Sequence, residues 1–255
     1  MNARFASTCL LAAALLAGAA PVVAQGVPLD DQALSDTWGQ ALLDLTNTSQ
    51  GGYEFSRLTF NADISLSMNL SGLKLGTRTD GTSDVDIATM NFGRSDAGDA
   101  ARTVAITNPY FEWVYSGDAG TANRQVVGMR LGFGGISGDV GLAMNTVSGA
   151  LSIDTGGTTG VMGSNGARST TLTGCSAACS MALAQVGGVT AGNADGASRD
   201  FFLSVLKTAL TYPTTDPSLP ASAQAQAGFW MNWTDRLKAI NTTGSVPPNV
   251  AKIGP

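Results

Sequence analysis

Short stretches in which apolar and polar residues alternate dominate the middle of the chain, from Asn61 to Asp154. In residues 61–71 every second residue from Ile64 to Leu70 is aliphatic, and residues 127–133 repeat the alternation. A period of two is typical of a half-buried strand, because successive side chains of a strand point to opposite faces. Gly, Asn or Asp separates the stretches at intervals of about ten residues, which is typical of all-β folds. The pattern predicts a mainly β protein, either a β-sandwich or a short β-solenoid.

The solenoid alternative depends on residues 132–154. This stretch divides into three short predicted rungs, at residues 135–138, 140–144 and 147–153. A Ser-Gly pair ends at Gly138 and recurs at Gly149, which hints at an eleven-residue repeat.

Helices are predicted only near the two ends of the chain. Residues 29–45 carry an amphipathic pattern after two aspartates suited to an N-cap, and predict an N-terminal helix. Residues 200–210 and 221–240 place apolar side chains at helical spacing, and predict one or two C-terminal helices.

The first 24 residues have the three-part organisation of a secretory signal peptide. Arg4 precedes an apolar run, and the small residues Val22 and Ala24 suit a cleavage site. The apolar run is too short to cross a bilayer comfortably, and no transmembrane helix is expected in the mature chain. We therefore predict export to the periplasm, the outer-membrane surface or the extracellular space.

Composition then divides the chain into five predicted parts. They are a signal peptide (1–24), an N-terminal helical arm (25–52), a β-rich core (53–155), a Gly/Ser/Thr-rich loop region with a disulfide (156–197), and a helical C-terminal segment with an extended tail (198–255).

Cys175 and Cys179 are the two cysteines that remain after removal of the signal peptide. A single close pair in an exported protein predicts a structural disulfide. A redox-active pair is the alternative, although such pairs usually have two intervening residues and this one has three.

Charge and composition exclude several classes of function. The chain has no histidine, which excludes a Ser-His-Asp triad and histidine-ligated metals. With 14 basic and 19 acidic residues its net charge is −5, which disfavours binding to nucleic acid. We expect no cofactor, no catalytic residues and no enzymatic activity.

Two residue patterns could carry chemistry in principle. Five aspartates between Asp80 and Asp99 could bind calcium, although they lack the spacing of a calcium loop and suit a solvated turn region better. Ser204 and Lys207 have the S-x-x-K spacing of penicillin-recognising enzymes, but the companion motifs are missing.

The most aromatic segment contains Tyr110, Phe111, Trp113 and Tyr115. These four residues are a candidate interaction surface for a sugar or a protein partner. The alternative is a strand that packs into the core, and the alternation of Phe111, Trp113 and Tyr115 favours this second interpretation.

The order of several segments resembles the FilA-like pilus-assembly or surface-filament proteins exported by Gram-negative bacteria. The segments are Leu29–Gln40, Ala62–Gly76, Asp84–Ile87, Ile106–Tyr110, Arg124–Leu131 and Asn145–Gly149. The resemblance covers about residues 1–155 and implies a structural role at the envelope or surface. The family often has a cysteine pair around the loop at 77–83, and this chain has none there.

Together these features favour an exported structural protein that acts by assembly or adhesion. Its partners would be other envelope or filament subunits, or further copies of itself, with association to the outer membrane as an option. One alternative is a secreted carbohydrate-active hydrolase that uses Asp84, Asp86 or Glu112. Another is a periplasmic ligand-binding module.

Overall fold

A computed structural model describes residues 42–117, 120–156, 161–175, 179–214, 219 and 223–250. Within them the chain forms sixteen strands and two short 3-10 helices, at Asp99–Arg102 and Leu183–Gln185. The strands are β1 (Leu43–Gln50), β2 (Tyr53–Phe60), β3 (Asp63–Leu66), β4 (Met68–Leu75), β5 (Val85–Phe92), β6 (Val104–Ser116), β7 (Gln125–Asp154), β8 (Val161–Ser169), β9 (Thr171–Cys175), β10 (Cys179–Ala182), β11 (Gly188–Ala191), β12 (Phe202–Leu206), β13 (Leu210–Thr211), β14 (Gln224–Ala225), β15 (Gly228–Trp233) and β16 (Leu237–Asn241). The prediction of a mainly β protein is confirmed.

The 30-residue strand β7 organises the fold. Fourteen strands form one sheet with the order β1-β2-β6-β7-β8-β9-β10, and β5, β11, β12, β15 and β16 also pair with β7. The three rungs predicted in residues 132–154 are wrong, because this stretch is one continuous strand. Gly138, with φ of 124°, adopts a backbone conformation within β7 that other residues rarely adopt.

Gly149 allows β15 to lie against β7. The two strands run parallel here, with Met231 opposite Gly149. A Cβ atom at position 149 would lie 2.0 Å from the backbone oxygen of Met231. Glycine is therefore required for this close approach of two backbones.

The apolar side chains form two buried clusters. The larger draws on β5, β7, β11 and β15, and includes Ile87, Leu142, Met144, Ile153 and Trp233. The smaller includes Phe55, Val114, Phe202, Leu206, Tyr212 and Trp230. Burial of each large apolar side chain stabilises the fold by about 1.5–3 kcal/mol.

The helix predicted at residues 200–210 is wrong. Residues 202–206 form β12, which pairs with β7 on one side and β15 on the other. Phe202, Ser204 and Leu206 are buried, with partly exposed residues between them. Phe201 also enters the larger cluster, and this extra apolar residue beside the strand produced the helical spacing.

The helix predicted at residues 221–240 is also wrong, because the described part of this segment forms β14, β15 and β16. Four consecutive residues of β15, Trp230–Trp233, are buried. A strand buried on both faces has a continuous apolar run, which periodicity cannot distinguish from a buried helix.

The structure describes only part of the remaining predicted segments, which are the signal peptide, the N-terminal helix and the loop region at 156–197. The end of the predicted N-terminal helix is wrong, since residues 43–45 belong to β1, while residues 29–41 and the signal peptide lie outside the described residues. The predicted loop region at 156–197 contains β8, β9, β10 and β11. In the part of the chain that the structure describes, no helix is long and apolar enough to cross a membrane.

Candidate functional site

Strand β6 separates the predicted aromatic surface into two faces. Tyr110 is buried, whereas Phe111 is 37% exposed. Trp113 and Tyr115 are partly exposed on the same face as Phe111. The expectation that Phe111, Trp113 and Tyr115 pack into the core is therefore wrong. Tyr110, the fourth residue of the predicted surface, does not belong to the exposed face, because its side chain points to the inner side of the sheet.

The exposed side of β6 continues over its neighbours as an apolar outer face. We use this name for Leu45, Leu58, Phe111, Trp113, Met129 and Leu131. Phe111 and Trp113 stack with ring centroids 6.4 Å apart. Leu45, Met129 and Leu131 are 64%, 38% and 40% exposed, so the aliphatic residues at 129 and 131 lie on the outside of β7 rather than in the core.

The inner side of β7 explains why its aliphatic residues at 129 and 131 face outward. Gly128 and Gly132 flank Arg130 on that side. A Cβ atom at Gly128 would lie 2.3 Å from Leu206 Cδ2, and one at Gly132 would lie 2.5 Å from Tyr110 Oη. The two glycines leave the space that these large inward-pointing side chains fill, so the small residues face the packed side.

Arg57, Glu112 and Arg130 form a row across β2, β6 and β7 on the inner side. Arg57 Nε donates to Glu112 Oε2 at 2.8 Å, and Arg130 Nε donates to Glu112 Oε1 at 2.6 Å. Glu112 and Arg130 are 2% and 4% exposed. Both oxygens of Glu112 are thus engaged by guanidinium groups. Sequence reasoning missed this row. The signal that could have revealed it is Glu112, an acidic residue between two aromatic residues of a predicted strand.

Aromatic rings cover both guanidinium groups. Arg130 Cζ lies 4.1 Å from the ring centroid of Tyr212 and 4.9 Å from that of Phe202, and Arg57 Cζ lies 4.1 Å from that of Tyr110. Burial alone would lower the pKa of Arg130, but its electrostatic interactions with Tyr110 and Glu112 outweigh burial and raise that pKa. Arg130 therefore stays a cation in the interior.

A cavity of about 420 Å³ borders this row. Its walls include Arg57, Tyr110, Arg130, Phe133, Ser164, Asn165, Arg199, Asp200, Phe202 and Asn232. Arg130 Nη2 and Ser164 Oγ are buried and have no hydrogen-bond partner among the described residues. Buried polar atoms are usually paired, so two residues of one cavity wall that each carry an unpaired polar atom mark it as a candidate binding site.

Asp200 is the acidic residue in the cavity wall, and it has a structural role. Its carboxylate accepts hydrogen bonds from the backbone N–H groups of Thr234 and Asp235, at 2.9–3.0 Å, and from Asn232 Nδ2 at 3.0 Å. It also accepts one from the Thr234 hydroxyl. The carboxylate fixes the turn after β15.

The aspartates considered for calcium are engaged separately. Asp80 accepts from Thr82, and the other four form ion pairs: Arg78–Asp84, Lys74–Asp86, Arg94–Asp96 and Arg102–Asp99. Hydrogen bonds from Thr82 lower the pKa of Asp80, and the hydrogen bond from Arg94 lowers that of Asp96. Over the described residues, no three Asp, Glu or Cys side chains are grouped as a metal would require.

The S-x-x-K spacing does not form a catalytic pair. It requires a helix, but Ser204 lies in β12. Lys207 Nζ donates to the backbone oxygen of Val126 at 2.9 Å. The predicted disulfide falls at the end of the β9–β10 hairpin, where the register places Cys179 opposite Cys175. The bond itself stays a prediction that this register can accommodate.

Strand β1 lies at one end of the sheet order and pairs only with β2 among the described strands. All eight of its residues are exposed. The Gly51-Gly52 turn, with φ of 61° and 81°, closes a two-residue hairpin. In such a hairpin Gln50 and every second residue before it bond to β2, so the N–H and C=O groups of Leu45, Asn47 and Ser49 point away from the sheet.

The other described strands at sheet margins are short or interrupted. β3 and β10 have four residues each. In β4, Gly72 with φ of 67° interrupts the pairing with β5, and Lys74 adds a charge. Short length, irregularity and lysine are the usual protections of edge strands. β1 has none of these.

No protein-family model, curated protein or solved structure matches this chain. The resemblance to FilA-like proteins therefore stays a prediction. The candidate sites are interpreted from their own geometry, and they are the β1 edge, the apolar outer face and the arginine-lined cavity.

Proposed function

We propose that this chain is an exported structural protein of the cell envelope or surface, and that its copies assemble by pairing at the β1 edge. The observation that carries the proposal is the regular eight-residue strand β1, whose outward N–H and C=O groups face no partner strand among the described residues. This is the role that the resemblance to surface-filament proteins implies. Strand addition supplies a full set of main-chain hydrogen bonds without a specialised pocket.

A second copy of β1 is the occupant that fits this edge best. Antiparallel pairing of two copies centred on Asn47 puts Leu45 opposite Ser49 and Asp44 opposite Gln50. The aspartate, which is the one charged residue of β1, then faces no like charge. A self-complementary edge of this kind forms a symmetric, isologous contact.

The apolar outer face supports the same proposal. It begins at Leu45 on the edge strand and continues through Leu58 and Phe111 to Leu131. Pairing of two β1 edges makes the outer faces of both copies continuous. Extended exposed apolar faces of this kind are typical of protein-interaction surfaces.

The test is to change the edge without changing the core. Asn47→Lys/Ser49→Lys places two positive charges in the strand. When two copies pair about position 47, the charges at that position lie directly opposite each other and the charge at position 49 lies diagonal to them. Ser71→Lys on β4 is the matched control, because Ser71 is also an exposed polar residue of a marginal strand. Sedimentation velocity and negative-stain electron microscopy of the purified mature chain would measure assembly over a concentration series.

We expect concentration-dependent dimers for the unmodified chain and for Ser71→Lys, because a symmetric contact between two β1 edges closes as a dimer. For Asn47→Lys/Ser49→Lys we expect assembly to require roughly tenfold more protein, or to fail. A chain that stays monomeric at high concentration would refute the proposal. Equal assembly by all three proteins would also refute it. Cell fractionation and a deletion strain test export and surface location independently.

We also propose that the architecture is a β-sandwich rather than a solenoid. Two observations favour this choice, namely that most strands pair antiparallel and that two clusters of inward side chains fill the interior. Solenoids stack near-identical repeats whose rungs contact only their neighbours, whereas β7 pairs with strands as far apart in the chain as β5 and β16.

A further inference from the structure

We propose that the cavity beside the Arg57–Glu112–Arg130 row binds a small organic monoanion, namely a carboxylate attached to an apolar or aromatic body. The inference is independent of assembly at the β1 edge, because the row lies on the inner side of the sheet. It rests on the unpaired donors, the local charge and the wall composition of the cavity.

The first step is the unpaired guanidinium nitrogen. Arg130 is 4% exposed and lines the cavity, and its Nε is bonded to Glu112. Its Nη2 has no hydrogen-bond partner among the described residues. A buried cationic donor without an acceptor is unfavourable, and an anionic oxygen in the cavity would supply one.

The second step is the charge balance. Arg57 and Arg130 carry two positive charges, and Glu112 between them carries one negative charge. Elsewhere in the cavity wall Arg199 pairs with Asp235, and the Asp200 carboxylate is held by neutral donors. The row by itself carries one net positive charge. A monoanion would neutralise it, whereas a phosphate dianion would leave an excess negative charge next to Glu112 in a poorly solvated site.

The third step is a second donor from a different strand. Ser164 of β8 lines the cavity, is 6% exposed, and its Oγ has no partner among the described residues. Its hydroxyl can donate to an anionic oxygen. Arg130 comes from the first part of β7 and Ser164 from β8, so the tertiary fold brings the two unpaired donors to one cavity.

The fourth step is the body of the ligand. Tyr110, Phe133, Phe202 and Leu151 line the cavity together with the polar groups. Its volume of about 420 Å³ falls within the range of small-molecule sites, which are mostly apolar with a few polar groups that fix orientation. These walls suit a flat or aliphatic group joined to the carboxylate.

Isothermal titration calorimetry on the full mature chain tests this, with benzoate as the probe. Benzyl alcohol has the same ring without the charge, and inorganic phosphate has the charge without the apolar body. We expect saturable binding of benzoate, and binding at least roughly tenfold weaker for both others. No saturable benzoate binding up to about 10 mM would overturn the proposal. Equal or tighter binding of benzyl alcohol or phosphate would overturn it as well.

The variants avoid the risk that loss of Arg130 prevents folding. Ser164→Ala removes the unpaired hydroxyl in the cavity, and Ser204→Ala removes a buried hydroxyl that does not line it. We expect Ser164→Ala to weaken benzoate binding by roughly tenfold and Ser204→Ala to leave it unchanged. The melting temperature of unliganded Ser164→Ala should not fall, because its hydroxyl has no partner there. Equal benzoate affinity in all three proteins would refute the assignment of Ser164.

Discussion

Arg130 Nε donates a 2.6 Å hydrogen bond to Glu112 Oε1, and the two residues stand directly opposite each other on β7 and β6. Both are almost fully buried. Two charges in such a position have lost most of their hydration, so the pair as a whole adds little net stability. Removal of one partner is costly all the same, because it leaves the other charge buried and uncompensated.

Glu112→Gln should therefore destabilise the fold strongly. It leaves Arg57 and Arg130 close together with no negative charge between them. We expect the free energy of unfolding, measured by urea denaturation, to fall by about 3–5 kcal/mol. Glu54→Gln is the control, because its ion pair with Arg124 is about one-third exposed and its loss should cost about 1 kcal/mol or less. Similar losses in both variants would contradict the interpretation of the row.

Tyr212 should make the protein sensitive to alkali. Burial raises the pKa of Tyr212 to about 12, from its ordinary value of 10.0. Between these values the unfolded chain loses the phenolic proton and the folded chain keeps it, so stability falls as pH rises from 10 to 12. Below pH 10 this contribution to the free energy of unfolding is fully present, and its loss by pH 12 costs about 2–3 kcal/mol.

Comparison with Tyr212→Phe isolates this contribution from the other groups that titrate in alkali. Phenylalanine has no proton to lose, so the variant should lose less stability than the unmodified chain in urea titrations above pH 10. Parallel loss of stability in the two proteins would mean that Tyr212 does not control the alkaline transition.

Gly149→Ala should weaken the contact of β15 with β7. The new Cβ atom would lie 2.0 Å from the Met231 backbone oxygen, which cannot move without displacement of the strand. We expect a loss of about 3 kcal/mol or more in the free energy of unfolding. Gly81→Ala provides the comparison, since no heavy atom lies within 4 Å there and only its φ of +80° opposes a side chain, at about 1–2 kcal/mol. A smaller loss for Gly149→Ala than for Gly81→Ala would show that β15 adapts.

Cys175 and Cys179 should resist alkylation until a reductant is added. The backbone register already sets the two residues opposite each other, and the closed loop is short. Reduction should then cost only about 2 kcal/mol of stability. Mass spectrometry after iodoacetamide treatment, with and without reductant, measures the bond directly. Cys179→Ser supplies the reference in which one thiol is labelled under both conditions, and labelling of both thiols without reductant would contradict the prediction.

Particular strands show how far the sequence could predict the fold. Residues 61–71 alternate cleanly and were predicted as one strand; they contain β3 and the first half of β4, which are separated at Ser67. In β7 the alternation predicted a strand correctly but gave the wrong buried face. Gly128 and Gly132 are small because Leu206 and Tyr110 fill the space above them, which local sequence does not reveal.

The candidate sites also divide into those that the sequence indicates and those that only strand pairing creates. Phe111 and Trp113 were named from the sequence as a candidate aromatic surface, but their alternation favoured the core; in the structure they lie on the outer face of the sheet. The Arg57–Glu112–Arg130 row was not visible in the sequence, since its residues are far apart in the chain and become neighbours only through strand register. Position within the sheet order also sets the β1 edge apart from the other strands.

The sequence alone determined that the described chain is mainly β. The alternation of apolar and polar residues, the glycine-rich turns and the low content of charged residues can all be recognised without knowing which distant segments pair. The tertiary structure decided which faces are buried, that residues 202–206 and 228–233 are strands, and that Arg130 and Ser164, each with an unpaired donor, line the same cavity. These properties depend on which distant strand lies alongside. Strand pairing is a non-local hydrogen-bonding choice, whereas the periodicity of a short apolar segment is compatible with either helix or strand.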